Sequence, residues 1–174
     1  MIYYVKCNSV FNRKKIEFKG EDDIVYFTIK HVKLPKIYGL NITDEIENKK
    51  YTVNYSPLRF KKRFQLLNTD KEQVMNINVG LKFLHKIEYN NKVYSCKGAL
   101  WKIRYKLYDI DSVVATLKVI KIDSERYYKI ELTDNKNILI ALAMLVIAQS
   151  IRERLFIIWK ELLWNIILNK KYSL

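Results

Sequence analysis

Hydrophobic and polar side chains alternate in short stretches up to about residue 134 of the chain. Alternation with a period of two places successive side chains on opposite faces of a β-strand. The stretches are rich in β-branched and aromatic residues, and clusters of Asn, Asp, Gly and Ser separate them. The strands predicted in this way are Asp23–Val32, Lys49–Tyr55, Gln73–Leu81, Val113–Ile122 and Arg126–Leu132. Because almost no helical stretch separates them, they predict antiparallel hairpins in a mainly β fold, a barrel or a sandwich.

A loose repeat supports the hairpins. Each copy reads aromatic-x-aliphatic-x-x-x-Asp, and the copies are Tyr38–Asp44, Phe64–Asp70, Tyr105–Asp111 and Tyr128–Asp134. A period of two puts the aromatic and the aliphatic side chain on one face of a strand. The Asp then falls at the strand end, where its carboxylate can accept hydrogen bonds from turn amides. Irregular spacing between the copies indicates hairpins of one closed sheet and not a solenoid.

After Asp134 the pattern changes to that of a helix. Asp134 or Asn135 can cap it, and the residues that follow contain no Gly or Pro. We predict a helix over about 136–151. From Ile138 to Ala148 every side chain is apolar, and a helix that is apolar on all sides must be buried on all sides or lie in lipid. The run is shorter than the roughly 20 residues that a bilayer core requires, which favours burial along the centre of a closed barrel.

A second apolar segment, Leu155–Leu168, follows the charged triplet at 152–154. Its spacing predicts an additional helix beyond a single barrel domain formed by residues 1–151. The candidates for a membrane or dimer contact are Leu155, Ile158, Trp159, Leu162, Leu163, Trp164 and Ile166. Two Trp near a Lys fit a membrane interface, and they fit a homodimer seam equally well. Packing against the barrel mouth is a third alternative.

The formal net charge of +14 changes the picture of function. Such a charge favours an anionic partner: nucleic acid, an anionic membrane or an acidic protein. A composition biased toward Lys, Ile and Asn also produces part of this excess without any selection for binding. The first residues lack the order of a signal peptide. We therefore expect a cytoplasmic protein, whose Cys7 and Cys96 are reduced thiols or form one bridge.

Two copies of the repeat carry cations on their outward face. Around Tyr105, apolar residues occupy one parity and cations the other, and the aligned copy around Phe64 repeats this arrangement. The candidates for binding an anion or a lipid headgroup are Arg59, Lys61, Arg63, Lys102, Arg104 and Lys106. Lys62 falls on the inward parity and requires a bulge or a strand end. The alternative is that these cations are part of the polar exterior that every barrel needs.

No catalytic, metal or cofactor site is predicted, and we expect a protein that is not an enzyme. His31 and His85 are the only histidines, and neither belongs to a metal-binding or catalytic spacing. The acidic run at 21–23 is a turn by its position, because calcium loops need several oxygens at defined spacing. Cys7 and Cys96 are interpreted as packing residues, since neither has a neighbouring His.

The order of these features resembles the tubby C-terminal-like superfamily, which includes the tubby domain, the LURP-one-related proteins and the phospholipid scramblases. The resemblance is carried by the Tyr105 and Tyr128 motifs and by "LTDNKNILIALAMLVIA" at 132–148. It implies a small bacterial member of the LURP-one-related type, with roughly twelve antiparallel strands around a central helix. The chain departs from the family in its apolar segment Leu155–Leu168. The phosphoinositide-binding residues of the tubby branch have no counterpart that can be placed on this chain, so no binding residue is carried over.

These observations lead to three hypotheses of function. The first is a barrel that associates with anionic phospholipid at the inner face of the membrane, through its outward cations and its apolar tail. The second is a nucleic-acid-binding barrel, which ranks lower because most of its aromatic residues share the inward parity and are withdrawn from stacking on bases. The third is a structural or protein-interaction module that dimerises through Leu155–Leu168.

Overall fold

The computed structural model describes residues 1–7, 15–33, 38–57, 62–80, 84–99, 103–133, 138–148 and 150–151. The described residues form twelve strands and one helix. In chain order the strands are β1 Ile2–Lys6, β2 Ile16–Gly20, β3 Val25–Lys33, β4 Tyr38–Asp44, β5 Lys50–Pro57, β6 Lys62–Leu67, β7 Gln73–Val79, β8 Leu84–Tyr89, β9 Lys92–Ala99, β10 Arg104–Asp109, β11 Ser112–Ile122 and β12 Glu125–Leu132.

The strands form a closed antiparallel barrel in which each strand lies beside its neighbours in sequence. The first and last strands close it, with five register pairs from Ile2 opposite Glu131 to Lys6 opposite Tyr127. Among the described residues, closure gives every strand a hydrogen-bonded neighbour on both sides. Of the two all-β arrangements that the sequence predicts, the barrel is the one that forms.

The predicted repeat corresponds to β4, β6, β10 and β12, which all run in the same direction through the barrel. The aromatic and aliphatic positions are buried in Phe64 and Leu66, and equally in Tyr105 and Leu107. The same holds for Tyr128 and Ile130 of the last copy. The prediction that these positions share the buried face of a strand is therefore confirmed for these three copies.

The predicted turn role of the repeated Asp is confirmed at Asp44. Its Oδ1 accepts hydrogen bonds from the amides of Ile46, at 3.0 Å, and Glu47, at 2.9 Å. In the second copy a different residue does this, because Asn68 Oδ1 accepts from the Glu72 amide at 2.8 Å. The Asp134 of the fourth copy lies outside the described residues.

Residues 138–148 and 150–151 are helical and form α1. Every residue from Leu139 to Ala148 is buried, as are Ser150 and Ile151. The apolar side chains of α1 belong to the same hydrophobic core as the buried faces of the strands. The predicted apolar helix is confirmed over these residues, and its predicted cap and the segment Leu155–Leu168 lie outside the described residues.

Candidate anion-binding surface

Five cations lie on the outer side of four adjacent strands and form what we call the basic face: Lys97, Arg104, Lys106, Lys118 and Lys129. Each alternates with buried residues on its own strand, as Arg104 and Lys106 do with the buried Tyr105 and Leu107. Burial of one parity therefore forces the other parity, which carries the charges, into solvent.

The register sets like charges directly opposite one another in this face. Lys106 lies opposite Lys97 on β9, and Arg104 lies opposite Lys118 on β11. Lys118 in turn lies opposite Lys129 on β12. Directly opposed like charges destabilise a sheet, because their side chains are only about 5 Å apart. An anion above this face would replace that repulsion with attraction.

Some of these cations are compensated from within the fold. Lys129 Nζ lies 2.8 Å and Lys118 Nζ 3.5 Å from Oε1 of Glu131. The hydrogen bond from Lys129 is the main cause that lowers the pKa of Glu131, and a hydrogen bond from Thr116 adds to it. Lys97 Nζ lies 5.1 Å from the ring centroid of Tyr108, a cation–π contact.

The two cations of β10 differ from their neighbours. Among the described residues, neither Arg104 nor Lys106 forms an ion pair, and both are exposed. Their positive charge is therefore the part of the basic face that is most available to a ligand. Clustered, solvent-facing cations of this kind attract lipid headgroups and other phosphate-bearing groups.

A packed layer beneath β10 holds this face in place. A Cβ on Gly98, which lies opposite Tyr105 in the register, would collide with the Tyr105 ring. Glycine therefore lets that ring lie against the β9 backbone. The His85 ring is buried with its centroid 6.5 Å from that of Tyr105. Burial raises the pKa of the neighbouring Cys96 thiol to about 12, so its reactive thiolate form is scarce at neutral pH.

Arg63, the predicted counterpart of Arg104, lies in a different environment. Its Nε donates to Asn76 Oδ1 at 3.1 Å, and Asn76 Nδ2 donates to Glu88 at 3.0 Å. Three strands lie between β6 and β10, so the two are four steps apart. This is roughly 19 Å along the sheet at about 4.8 Å per step. The structure thus brings Arg104 and Lys106 together and places Arg63 elsewhere. Arg59, Lys61 and Lys102 lie outside the described residues.

Sequence reasoning missed Lys97, Lys118 and Lys129. A signal for the last two was present, because the tight turn at 123–124 fixes Lys118 opposite Lys129. Both lie on the solvent parity of strands that the pattern predicted. Lys97 had no such signal, since its strand was not predicted.

The acidic run at 21–23 forms the turn between β2 and β3, as predicted. Asp22 Oδ1 accepts from the Ile24 amide at 3.1 Å, and its Oδ2 accepts from the Tyr26 hydroxyl at 3.0 Å. In the part of the chain that the structure describes, no three His, Cys, Asp or Glu side chains converge as metal ligands would.

None of the described helical residues builds a helix with the length and hydropathy of a membrane span. Comparisons of the chain with models of protein families, with curated proteins and with solved structures find no match.

Proposed function

We propose that this protein is a non-enzymatic barrel that binds anionic phospholipid through its basic face, at the inner surface of the membrane. The observation that carries the proposal is the set of directly opposed cations, Lys97 with Lys106 and Lys118 with Arg104 and Lys129. A sheet that only needed a polar exterior would gain stability from alternating signs at these positions. Glu131 bridges Lys118 and Lys129. The pairs that involve β10, Lys106 with Lys97 and Arg104 with Lys118, lower stability, and an anionic ligand offsets that loss.

Lipid fits this face better than nucleic acid does. Binding of single strands without sequence preference relies on exposed rings on which bases stack. Tyr108 is half-buried, and Lys97 already lies over its ring. The aromatic residues of the repeat at Phe64, Tyr105 and Tyr128 are buried. The rings beside the face, Tyr108 and the Tyr4 opposite Lys129, are only half-exposed. Recognition therefore rests mainly on charge, and charge alone suffices for an anionic membrane surface.

We also propose that α1 passes through the interior of the barrel. Its buried residues cover all sides of the helix, and they share one core with the strands. The small Ala141, Ala143 and Ala148 reduce the width that α1 needs. Residues 138–151 rise by roughly 20 Å at about 1.5 Å each. The seven-residue β7 extends a similar distance at about 3.3 Å per residue.

As part of the same proposal, we infer that the chain is a member of the LURP-one-related proteins. The closed twelve-stranded antiparallel barrel agrees with what the resemblance implies. The position of the apolar helix after the last strand supports it further.

Co-sedimentation with vesicles tests the function. The protein is expected to pellet with vesicles that contain anionic phospholipid and to stay in solution with purely zwitterionic vesicles. Each cation near the surface contributes about 1 kcal/mol, and binding should weaken as salt is added because exposed charges are screened. Equal binding to both vesicle types, or binding to neither, contradicts the proposal. Salt-sensitive binding to single-stranded DNA without binding to anionic vesicles would favour nucleic acid.

A further inference from the structure

The two ends of the barrel differ in their exposed side chains. The turns that follow β2, β4, β6, β8 and β10 lie at one end because neighbouring strands are antiparallel, and we call this end the rim. Seven large hydrophobic residues are exposed among the described residues, and Ile122 is the one at the opposite end. The six at the rim are Met1, Ile24, Ile46, Val93, Ile110 and Val113. Single exposed aliphatic residues are ordinary, but their concentration at one end indicates a contact surface.

Ile110 is the most exposed of these side chains, at 88%. Its φ of 56° lies in the left-handed region, which β-branched residues rarely adopt. The corresponding turn between β8 and β9 uses Asn90 and Asn91, with φ values of 49° and 58°, and Asn tolerates this conformation well. The turn at Ile110 thus presents an aliphatic side chain to solvent at a position where Asn would fold more easily.

Acidic residues flank the aliphatic tips. Ile110 lies between Asp109 and Asp111, and Ile46 lies between Glu45 and Glu47. Asp109 and Glu47 are ion-paired with Lys92 and Lys49. Among the described residues Asp111 and Glu45 form no ion pair, so they carry the negative charge available to a partner. A surface of this kind repels anionic lipid and fits a partner that presents cations beside apolar groups. The same chain carries such a surface, since the basic face combines its five cations with the ring of Tyr108.

We propose that the rim of one copy docks on the basic face of a second copy. The net charge of +14 repels two copies in most orientations. An orientation that places the acidic rim against the basic face exchanges this repulsion for attraction and removes Ile110 from water. Rim and face are different surfaces, so the contact is heterologous and can continue into a ring or a filament. Association and the proposed lipid binding use the same basic face and compete for it, and the test of association is made without lipid.

The test is sedimentation velocity of the full chain over a range of concentrations at physiological ionic strength. We expect the mass to rise with concentration, and Ile110→Asn to weaken association about tenfold or more because a buried Ile side chain is lost. The same variant is expected to raise the thermal midpoint, since Asn relieves the left-handed backbone. Ile46→Asn, in another turn, is the second variant should Ile110→Asn fail to fold.

Charge reversal on each surface distinguishes this contact from a symmetric one. Asp111→Lys on the rim and Lys106→Glu on the basic face should each abolish association alone. An equimolar mixture of the two variants should restore it, because the intact rim of one then meets the intact face of the other. A protein that is monomeric at all concentrations overturns the proposal. So does an association that Ile110→Asn leaves unchanged, or a mixture that stays monomeric.

Discussion

The strands β6 and β10 have the same sequence pattern and bury the same face, yet the cations on their outer faces have different surroundings. Phe64 and Leu66 on β6 are buried like Tyr105 and Leu107 on β10. On the outer side, Arg63 is hydrogen-bonded to Asn76 in a network that continues to Glu88. Arg104, by contrast, lies opposite Lys118. The local pattern decides which face a cation takes, and the neighbouring strands decide whether its charge is compensated by other side chains or faces solvent.

The largest expected effect concerns the buried faces, where the two strands should behave alike. Leu66→Ala and Leu107→Ala should each lower the free energy of unfolding by about 2–5 kcal/mol, because both side chains are fully buried and their loss leaves a cavity. Urea titration of each variant measures this. A loss below about 1 kcal/mol in one strand alone would show that their buried faces are not equivalent.

The next effect concerns the packing of β10 against Gly98, which lies on β9 opposite Tyr105. Gly98→Ala should destabilise the protein by about 1–3 kcal/mol, because the added methyl collides with the Tyr105 ring. In a Tyr105→Ala background the same substitution should cost less, since the ring is gone and only the approach to the Arg104 carbonyl oxygen, at 2.7 Å, remains. This double-mutant cycle is the control, and an undiminished cost would place the strain elsewhere.

A smaller effect separates the two arginines. Arg63→Gln should lower stability by about 1 kcal/mol, because it disturbs a hydrogen-bonded network with the buried Asn76. Arg104→Gln should be neutral or slightly stabilising, since it removes a repulsion with Lys118. Equal losses in chemical denaturation would mean that the surroundings of Arg104 also stabilise its charge.

The smallest effect concerns Glu131, which partly neutralises the basic face. Its pKa lies below the ordinary 4.5, chiefly through the hydrogen bond from Lys129. Its contribution to stability is therefore complete above pH 4.5 and is lost as the pH falls through the lowered pKa of the folded state. Glu131→Gln should abolish this part of the acid sensitivity in urea titrations over a pH series. It should also strengthen binding to anionic vesicles a few-fold at neutral pH, and weaker binding would contradict the assigned role.

Which side chains of β10 are buried could be predicted from sequence, because successive side chains of a strand alternate between its two faces. The face of one residue therefore fixes the face of the next. The buried helix could be predicted for the same reason, as its apolar run is continuous from Ile138 to Ala148. The strand β9 was missed, since it contains Lys97 and Gly98 and lacks a long β-branched run. The hydrogen-bonded surroundings of Arg63 could not be predicted either, because Asn76 and Glu88 come from strands whose register only the folded barrel defines.

The most direct measurement compares two double variants that have the same net charge. Arg104→Gln with Lys106→Gln removes two cations from the basic face, whereas Lys30→Gln with Arg63→Gln removes two from β3 and β6. At about 1 kcal/mol per cation, the first pair should weaken binding to anionic vesicles by roughly 30-fold. The second pair should leave it almost unchanged. If both pairs weaken binding equally, the net charge and not the basic face drives the association, and the central claim fails.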